Sequence, residues 1–427
     1  MQVTYDVDER PPFLELLLLG LQWMAVVMPI VVVIGRIVSK VQLDQPTDPI
    51  LFMQKAAFLI AATVAGQVLL GHRLPLVAGP ATVLVVGVTA SQGFSQSAVY
   101  TSIMVGGLTL TATAATGLFA HIRKLFTPRV VAVILLLIAF TLAPAIIGLI
   151  AEPGRQVLPR AGFATLMTLL MFLATRCLRG VWKSTLILWS IVAGSCACAF
   201  LFPGSVELRP VSAPIFSFLT HTTTHLSFQP GLLFSFLVCY LGLSVNDLGS
   251  IESVGELIKT SDLDRRVTRG ITVSGLANIL AGFVGVVGPV NYSLSPGVIA
   301  ATGCASRFTL LPTALLMACL ACSSMAFAII GAVPSVVVGS VFLYLMSYQI
   351  AAGLVMAGEE AGRFQIEDGL VMGLPLLLGT IVAFMPAALA TSFPPLLRPI
   401  AGNGFLVGVV AVLVLEHLVF PRPHRAA

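Results

Sequence analysis

Apolar blocks about 20 residues long recur from one end of the chain to the other, and this constrains the fold more than any single residue does. Twenty residues of helix rise about 30 Å, the thickness of the hydrocarbon core of a bilayer. The blocks fall at 13–36, 50–71, 75–92, 97–121, 129–151, 159–178, 182–203, 230–258, 267–287, 289–304, 308–331, 334–356, 368–391 and 400–420. Lipid offers no water to backbone N–H and C=O groups, so segments of this length must be helices. Of the 427 residues, 57% are hydrophobic and only 10% charged, against about a quarter charged in a soluble domain. No core of this size could bury so much apolar surface. The sequence predicts an all-α polytopic membrane protein surrounded by lipid. A soluble enzyme, a nucleic-acid binder and a secreted disulfide domain are excluded.

The basic residues set the orientation. Residues 1–12 carry Asp6, Asp8 and Glu9, and no small-residue cleavage site follows the first block, so they read as a tail before a retained helix rather than a signal peptide. With both termini in the cytoplasm, 16 Lys and Arg fall on the cytoplasmic side and six on the other, with Lys55 inside the second span. That is the asymmetry of the positive-inside rule in a cell membrane. The net charge of +5 is therefore topological and implies no anionic partner.

One long polar stretch, 204–229, divides the spans seven and seven, into 13–203 and 230–421, with a short tail at 422–427. Seven is odd, so the second half enters the membrane inverted relative to the first. Equal halves of opposite topology predict an inverted-repeat transporter. The third span of each half is broken, at Pro75-Leu-Val-Ala-Gly79-Pro80-Ala81-Thr82 and at Gly288-Pro289-Val-Asn291-Tyr-Ser293-Leu294-Ser295-Pro296-Gly297. Pro and Gly break a helix there, and the half-helix N-termini they create can meet a polar solute near the midplane. Gly79 and Gly297 are read as places where backbone approaches that solute.

Four stretches resemble the nucleobase–ascorbate transporter family, which includes bacterial uracil and xanthine permeases. They are Thr4 to Pro12 with Gln22-Trp23, the run Ser244-Val-Asn246-Asp247-Leu-Gly249-Ser250, Arg269-Gly270 with Gly275 and Ala281-Gly282, and Gly297-x-x-x-x-Thr302-Gly303-x-x-Ser306-Arg307. The resemblance spans the whole chain. It implies fourteen segments, with a core domain (segments 1–4 and 8–11), a gate domain (5–7 and 12–14) and two short strands in segments 3 and 10. It also implies a solute held between those strands and segment 8, an elevator-like movement, and a homodimer. The substrate residues it implies are Gln22, Trp23, Ala81, Thr82, Asn246, Asp247, Gly249, Ser250, Ser293, Leu294 and Ser295. The family's binding glutamate falls on Asn246 and a second acid on Ser250, while its Glu/Gln-Asn pair falls on Leu294 and Ser295. The scaffold is kept and the charged nucleobase-reading groups are replaced.

Ionisable residues within membrane spans are functional candidates. Asp247 leads them as the carrier of ion coupling, by H+ or Na+, because Asn246 cannot titrate. It lies about 100° around the helix from Asn246, which also allows it to face another core helix. Glu15 and Glu416 are read as interfacial and Lys55 as snorkelling. Cys319-x-x-Cys322 has no His or carboxylate near it and reads as reduced thiols; His221 and His225 lack a third metal ligand. No cofactor or Walker sequence is apparent. The function predicted is secondary transport of a nucleobase-like solute. The alternatives are transport of an organic or aromatic carboxylate, which two half-helix N-termini without a glutamate would suit, and a solute channel.

Overall fold

A computed structural model of the chain describes residues 4–41, 43–44, 48–117, 125, 127–151, 156–179, 182, 186–203, 220, 222–292, 295–359, 365–386, 389, 393 and 402–421. The helices of the first half are α1 (Phe13–Val38), α2 (Pro49–Leu69), α3 (Thr82–Thr89), α4 (Gln96–Ala115), α5 (Pro128–Thr141), α6 (Ala143–Ile150), α7 (Val157–Cys177) and α8 (Leu186–Leu201). Those of the second are α9 (Pro230–Leu257), α10 (Leu263–Val284), α11 (Ser295–Thr302), α12 (Leu310–Ala321), α13 (Ser324–Gly331), α14 (Ser335–Glu359), α15 (Ile366–Ala383) and α16 (Gly404–Val414). Their starts are written locally. Pro49 and Pro128 occupy first-turn positions where no N–H is needed, and Asp48, Ser95 and Thr127 accept the N–H groups of Ile50, Ala98 and Val130.

Among the described residues, nine helices are long and apolar enough to cross a membrane. They are α1, α2, α4, the α5–α6 run, α7, α9, α10, α14 and α15, and three more, Leu186–Leu201, Arg307–Ala321 and Gly404–Val419, are apolar but shorter. Two short strands, β1 (Ala78–Pro80) and β2 (Pro289–Asn291), lie in the expected third and tenth blocks and precede the eight-residue helices α3 and α11. They pair antiparallel, Ala78 with Asn291, Gly79 with Val290 and Pro80 with Pro289.

Helix contacts come in matched sets. α4 packs on α10 as α2 packs on α12; α1 meets α12 as α9 meets α4; α1 touches β1 as α9 touches β2; and α5 meets α15 as α14 meets α7. Each pair becomes the other when elements of the first half are exchanged with their counterparts in the second.

The tail is ordered against one end of this assembly. Thr4 N–H donates to the Gly303 carbonyl at 2.7 Å, Ala305 N–H to Tyr5 at 3.0 Å and Arg307 N–H to Val7 at 3.1 Å, and the Arg307 guanidinium reaches Asp8 at 2.7 Å. Arg266 caps the carbonyls of His72 and Arg73 on the same face. The opposite face collects the end of α1, the α3–α4 turn, the end of α6 and the start of α16 around one cavity.

Glu416 departs from the interfacial reading. It is buried with Asp368 around Arg129, whose Nη1 lies 2.9 Å from Asp368 Oδ1 and whose Nη2 lies 3.0 Å from the Glu416 carboxylate. A charge in low dielectric persists only when paired, and the trio ties α5, α15 and the π-helical turn Leu415–Val419 together. Lys55 is likewise 4% exposed rather than snorkelling.

Candidate functional site

The two strands lie beside α9, and α9 shows them two different faces. Asp247 and Ser250 are buried, Asn246 is half-buried, and Gly249 is exposed with open space where a Cβ would stand. The 100° step between consecutive helical residues puts Asn246 and Gly249 on one side of the helix and Asp247 and Ser250 toward β2.

On that second side Asp247 Oδ1 and Ser250 Oγ hold Asn291, at the end of β2. Asp247 Oδ1 accepts the Asn291 backbone N–H at 2.9 Å and its Nδ2 at 2.7 Å. Ser250 Oγ sits 3.0 Å from the Asn291 carbonyl and 2.7 Å from that of Asn246, donating to one at a time. His72 closes the chain of bonds. Its Nδ1 accepts the Leu74 N–H at 3.0 Å, so its proton is on Nε2, 3.3 Å from Asn291 Oδ1. Ser274 is 3.4 Å from Asn291 Nδ2 and accepts from Gln67 Nε2 at 3.0 Å. Asp247 Oδ2 is buried without a hydrogen-bond partner among the described residues. The start of β2 is held separately: Asn278 Nδ2 donates to the Pro289 carbonyl at 2.9 Å, and its Oδ1 accepts Tyr240 OH at 2.8 Å.

β1 has no such harness. Its residues are Ala78, Gly79 and Pro80, and what lies over them is Tyr292, whose OH donates to the Pro80 carbonyl at 3.0 Å. A Cβ on Gly79 would stand 2.5 Å from that ring. The reading of Gly79 as a place of close approach to solute is corrected here, because the close approach is to Tyr292. Beyond the strands, Ala81 is the N-cap of α3 and donates its N–H to the Gly288 carbonyl at 2.9 Å. It has no side-chain oxygen to cap α3, whose first N–H groups lack intrahelical acceptors. Thr82 follows it, half-buried. Ser295 opens α11, accepting the Val77 N–H at 3.2 Å and donating to the Tyr292 carbonyl at 2.9 Å.

Asp247, Ser250, Ala81, Thr82 and Ser295 are thus gathered about the strand pair, with Asn246 and Gly249 on the open side of α9. Trp23 is spent elsewhere, its indole N–H donating to Thr309 Oγ1 at 3.1 Å, and Gln22 is buried beside it on α1. Ser293 and Leu294 lie outside the described residues, as do His221 and the 204–219 stretch. All seven cysteines are free, Cys319 and Cys322 among them. The sequence reading missed Asn291 and His72. Asn291 is a lone amide within the broken apolar block, which is a usable signal, whereas nothing about His72 marks it, because its partner is 219 residues away.

Comparisons with known proteins bear on the family and the fold. The model of the xanthine and uracil permeases, described as Permease family, matches residues 14–388. A putative purine permease of Bacillus subtilis, YwdJ, is 23% identical over 97% of this chain and 98% of its own length. The uric acid permease PucK of the same organism is 24% identical over 96% of each chain. The Escherichia coli xanthine permease XanQ is 23% identical over 71% of this chain and 67% of its own. Among solved structures, the transmembrane domain of a cyanobacterium bicarbonate transporter, BicA, superposes with a TM-score of 0.64 at 17% identity, covering 86% of this chain and 95% of that one. The murine anion transporter Slc26a9 gives 0.59 at 12% identity, over 95% and 68%. At such identities the likeness is one of fold.

Proposed function

This chain belongs to the nucleobase–ascorbate transporter family, a family of membrane permeases and not of enzymes, and on that premise we propose that it is a secondary active transporter of a nucleobase-like or related small polar or aromatic solute. The observation that carries the reading is the strand pair, with its two half-helices, held by the Asp247 and Ser250 side of α9 and leaving the Asn246 and Gly249 side open. The solute lies between Asn246 and Gly249 on one side and the starts of α3 and α11 on the other. Ala81, Thr82 and Ser295 border it there, and Ser293 and Leu294 belong to the same segment.

The architecture is a 7+7 inverted repeat of fourteen segments, and the matched sets of helix contacts support it. Core segments 1–4 and 8–11 move against gate segments 5–7 and 12–14 as an elevator. The assembly is a homodimer in the cell membrane, with both termini in the cytoplasm, as the distribution of Lys and Arg supports.

Coupling to H+ or Na+ passes through Asp247. Its Oδ1 keeps both Asn291 bonds while Oδ2, buried and without a partner among the described residues, is the atom left to take a proton or face a cation. The second reading, an organic or aromatic carboxylate as solute, is favoured by one observation. The two α9 positions that the family fills with acids are the neutral Asn246, on the open side, and Ser250. Thermal unfolding of the purified protein in the presence of xanthine, uric acid, uracil, ascorbate and benzoate separates the two. A ligand that binds only the folded state raises the midpoint by mass action. A rise with a nucleobase and none with benzoate is expected; the reverse replaces the nucleobase reading with the carboxylate one.

A further inference from the structure

In the elevator reading, on which this inference rests, the core and gate domains meet along a seam that is bonded across at the face opposite the N-terminal tail. Arg36 Nη2, near the end of α1, donates at 3.1 Å to the carbonyl of Val333, in the link between core segment 11 and gate segment 12. Lys40 Nζ, just past α1, donates to the Gly148 carbonyl in the last turn of α6 at 3.2 Å. Asn403 Nδ2, the N-cap of α16, donates to Ser235 Oγ near the start of α9 at 2.8 Å. Between them lies a cavity of about 250 Å³, walled by Ile37, Lys40 and Thr89 of the core and Thr141, Gly148 and Asn403 of the gate. Farther along α9 toward the tail face, Gly249 is exposed and opens onto empty space.

We propose that Lys40, Arg36 and Asn403 form an external latch that holds the core in its inward-open position. The geometry suits a contact that must be made and broken repeatedly. Hydrogen bonds fade within about half an ångström beyond 3.5 Å, so none of the three survives a sliding movement of several ångströms. Release is cheap at Lys40 and at Asn403. Lys40 is exposed, so its ammonium returns to water, and the Gly148 carbonyl is one of the last four of its helix, an orphan acceptor at the negative end of the dipole. Asn403 divides its amide: Oδ1 stays on the Leu406 N–H at 3.2 Å as the helix cap, while Nδ2 alone crosses the seam. Breaking the Lys40 and Asn403 bonds therefore neither unravels α16 nor leaves a buried charge.

The test uses two cysteine reporters, Ala90→Cys at the cavity and Ser253→Cys on α9 toward the tail face, each in a protein whose seven native cysteines are replaced and which still takes up xanthine. An impermeant maleimide is applied from outside for the first and from the cytoplasmic side for the second. Lys40→Met should raise the ratio of outer to inner labelling by about three- to tenfold, the equilibrium effect of losing one such bond. Ser235→Ala, which leaves the Asn403 cap intact, should shift it the same way, and Lys40→Arg should restore the wild-type ratio. An unchanged ratio in both Lys40→Met and Ser235→Ala overturns the latch. Xanthine added to the wild-type background tells this apart from failure of the elevator itself. Opposite changes at the two reporters leave the elevator standing and only the latch refuted, whereas parallel changes overturn the elevator and the latch with it.

Discussion

The two strands at the centre of the molecule are paired residue for residue, yet they are held in opposite ways. β2 is fixed by side chains from three other elements, Asp247 and Ser250 of α9, Asn278 of α10 and His72 beyond α2. β1 has no polar side chain of its own and is fixed by the β2 backbone and by Tyr292 lying over Gly79. The difference teaches that one strand is a positioned object and the other is packed against it. Loss of a polar group should therefore act through β2, and loss of space through β1.

The sharpest way to break this contrast is Asp247→Ala. It strands the Asn291 N–H as a buried donor without an acceptor, at about 1–3 kcal/mol, and leaves Nδ2 only the 3.4 Å contact with Ser274 Oγ. Uptake should fall at least a hundredfold and the unfolding midpoint should drop. Asp247→Asn keeps an oxygen for both donors, so it should retain exchange while losing accumulation driven by a pH gradient. Equal damage by Ala and Asn would show that the carboxylate charge, not the clamp, holds the strand.

Gly79→Ala comes next, at about 1–3 kcal/mol, because its methyl overpacks the Tyr292 ring. The same change in a Tyr292→Leu background should cost measurably less. Additive costs in that double-mutant cycle, read by thermal unfolding, would mean that Tyr292 is not what confines β1. Smaller again is Ser250→Ala. It removes one of several bonds to Asn291 and should cost about 1 kcal/mol, with a rise in KM for xanthine of a few-fold. The smallest effect belongs to Tyr292→Phe, which loses only the bond to the Pro80 carbonyl and keeps the ring over Gly79. Half a kcal/mol or so is expected, with uptake near normal.

The membrane class and the two broken segments are legible in the sequence because each rests on local chemistry: run length, Pro and Gly. The site is legible only by residue type. Asn246 and Asp247 are neighbours in sequence, and the helical step allows one to face the open side and the other a packed element. Which of them turns to β2 depends on where Asn291 lies, 44 residues on. Gly79 is legible as a position that tolerates no side chain, but the neighbour that forbids one is Tyr292 rather than a solute. Glu416 looks interfacial in the sequence because Arg129, 287 residues earlier, cannot be seen as its partner until α5 and α16 are packed.

Counterflow tests the central claim, that the strand pair and the open face of α9 bind and carry a nucleobase-like solute, most directly. Proteoliposomes containing the protein are loaded with unlabelled xanthine and diluted into a trace of labelled xanthine. A transient overshoot of label is predicted, saturating with outside concentration and lost in Asp247→Ala. Linear, unsaturable entry without overshoot would contradict the claim in favour of a channel, and an overshoot with benzoate but not with xanthine, uric acid or uracil would contradict the choice of solute.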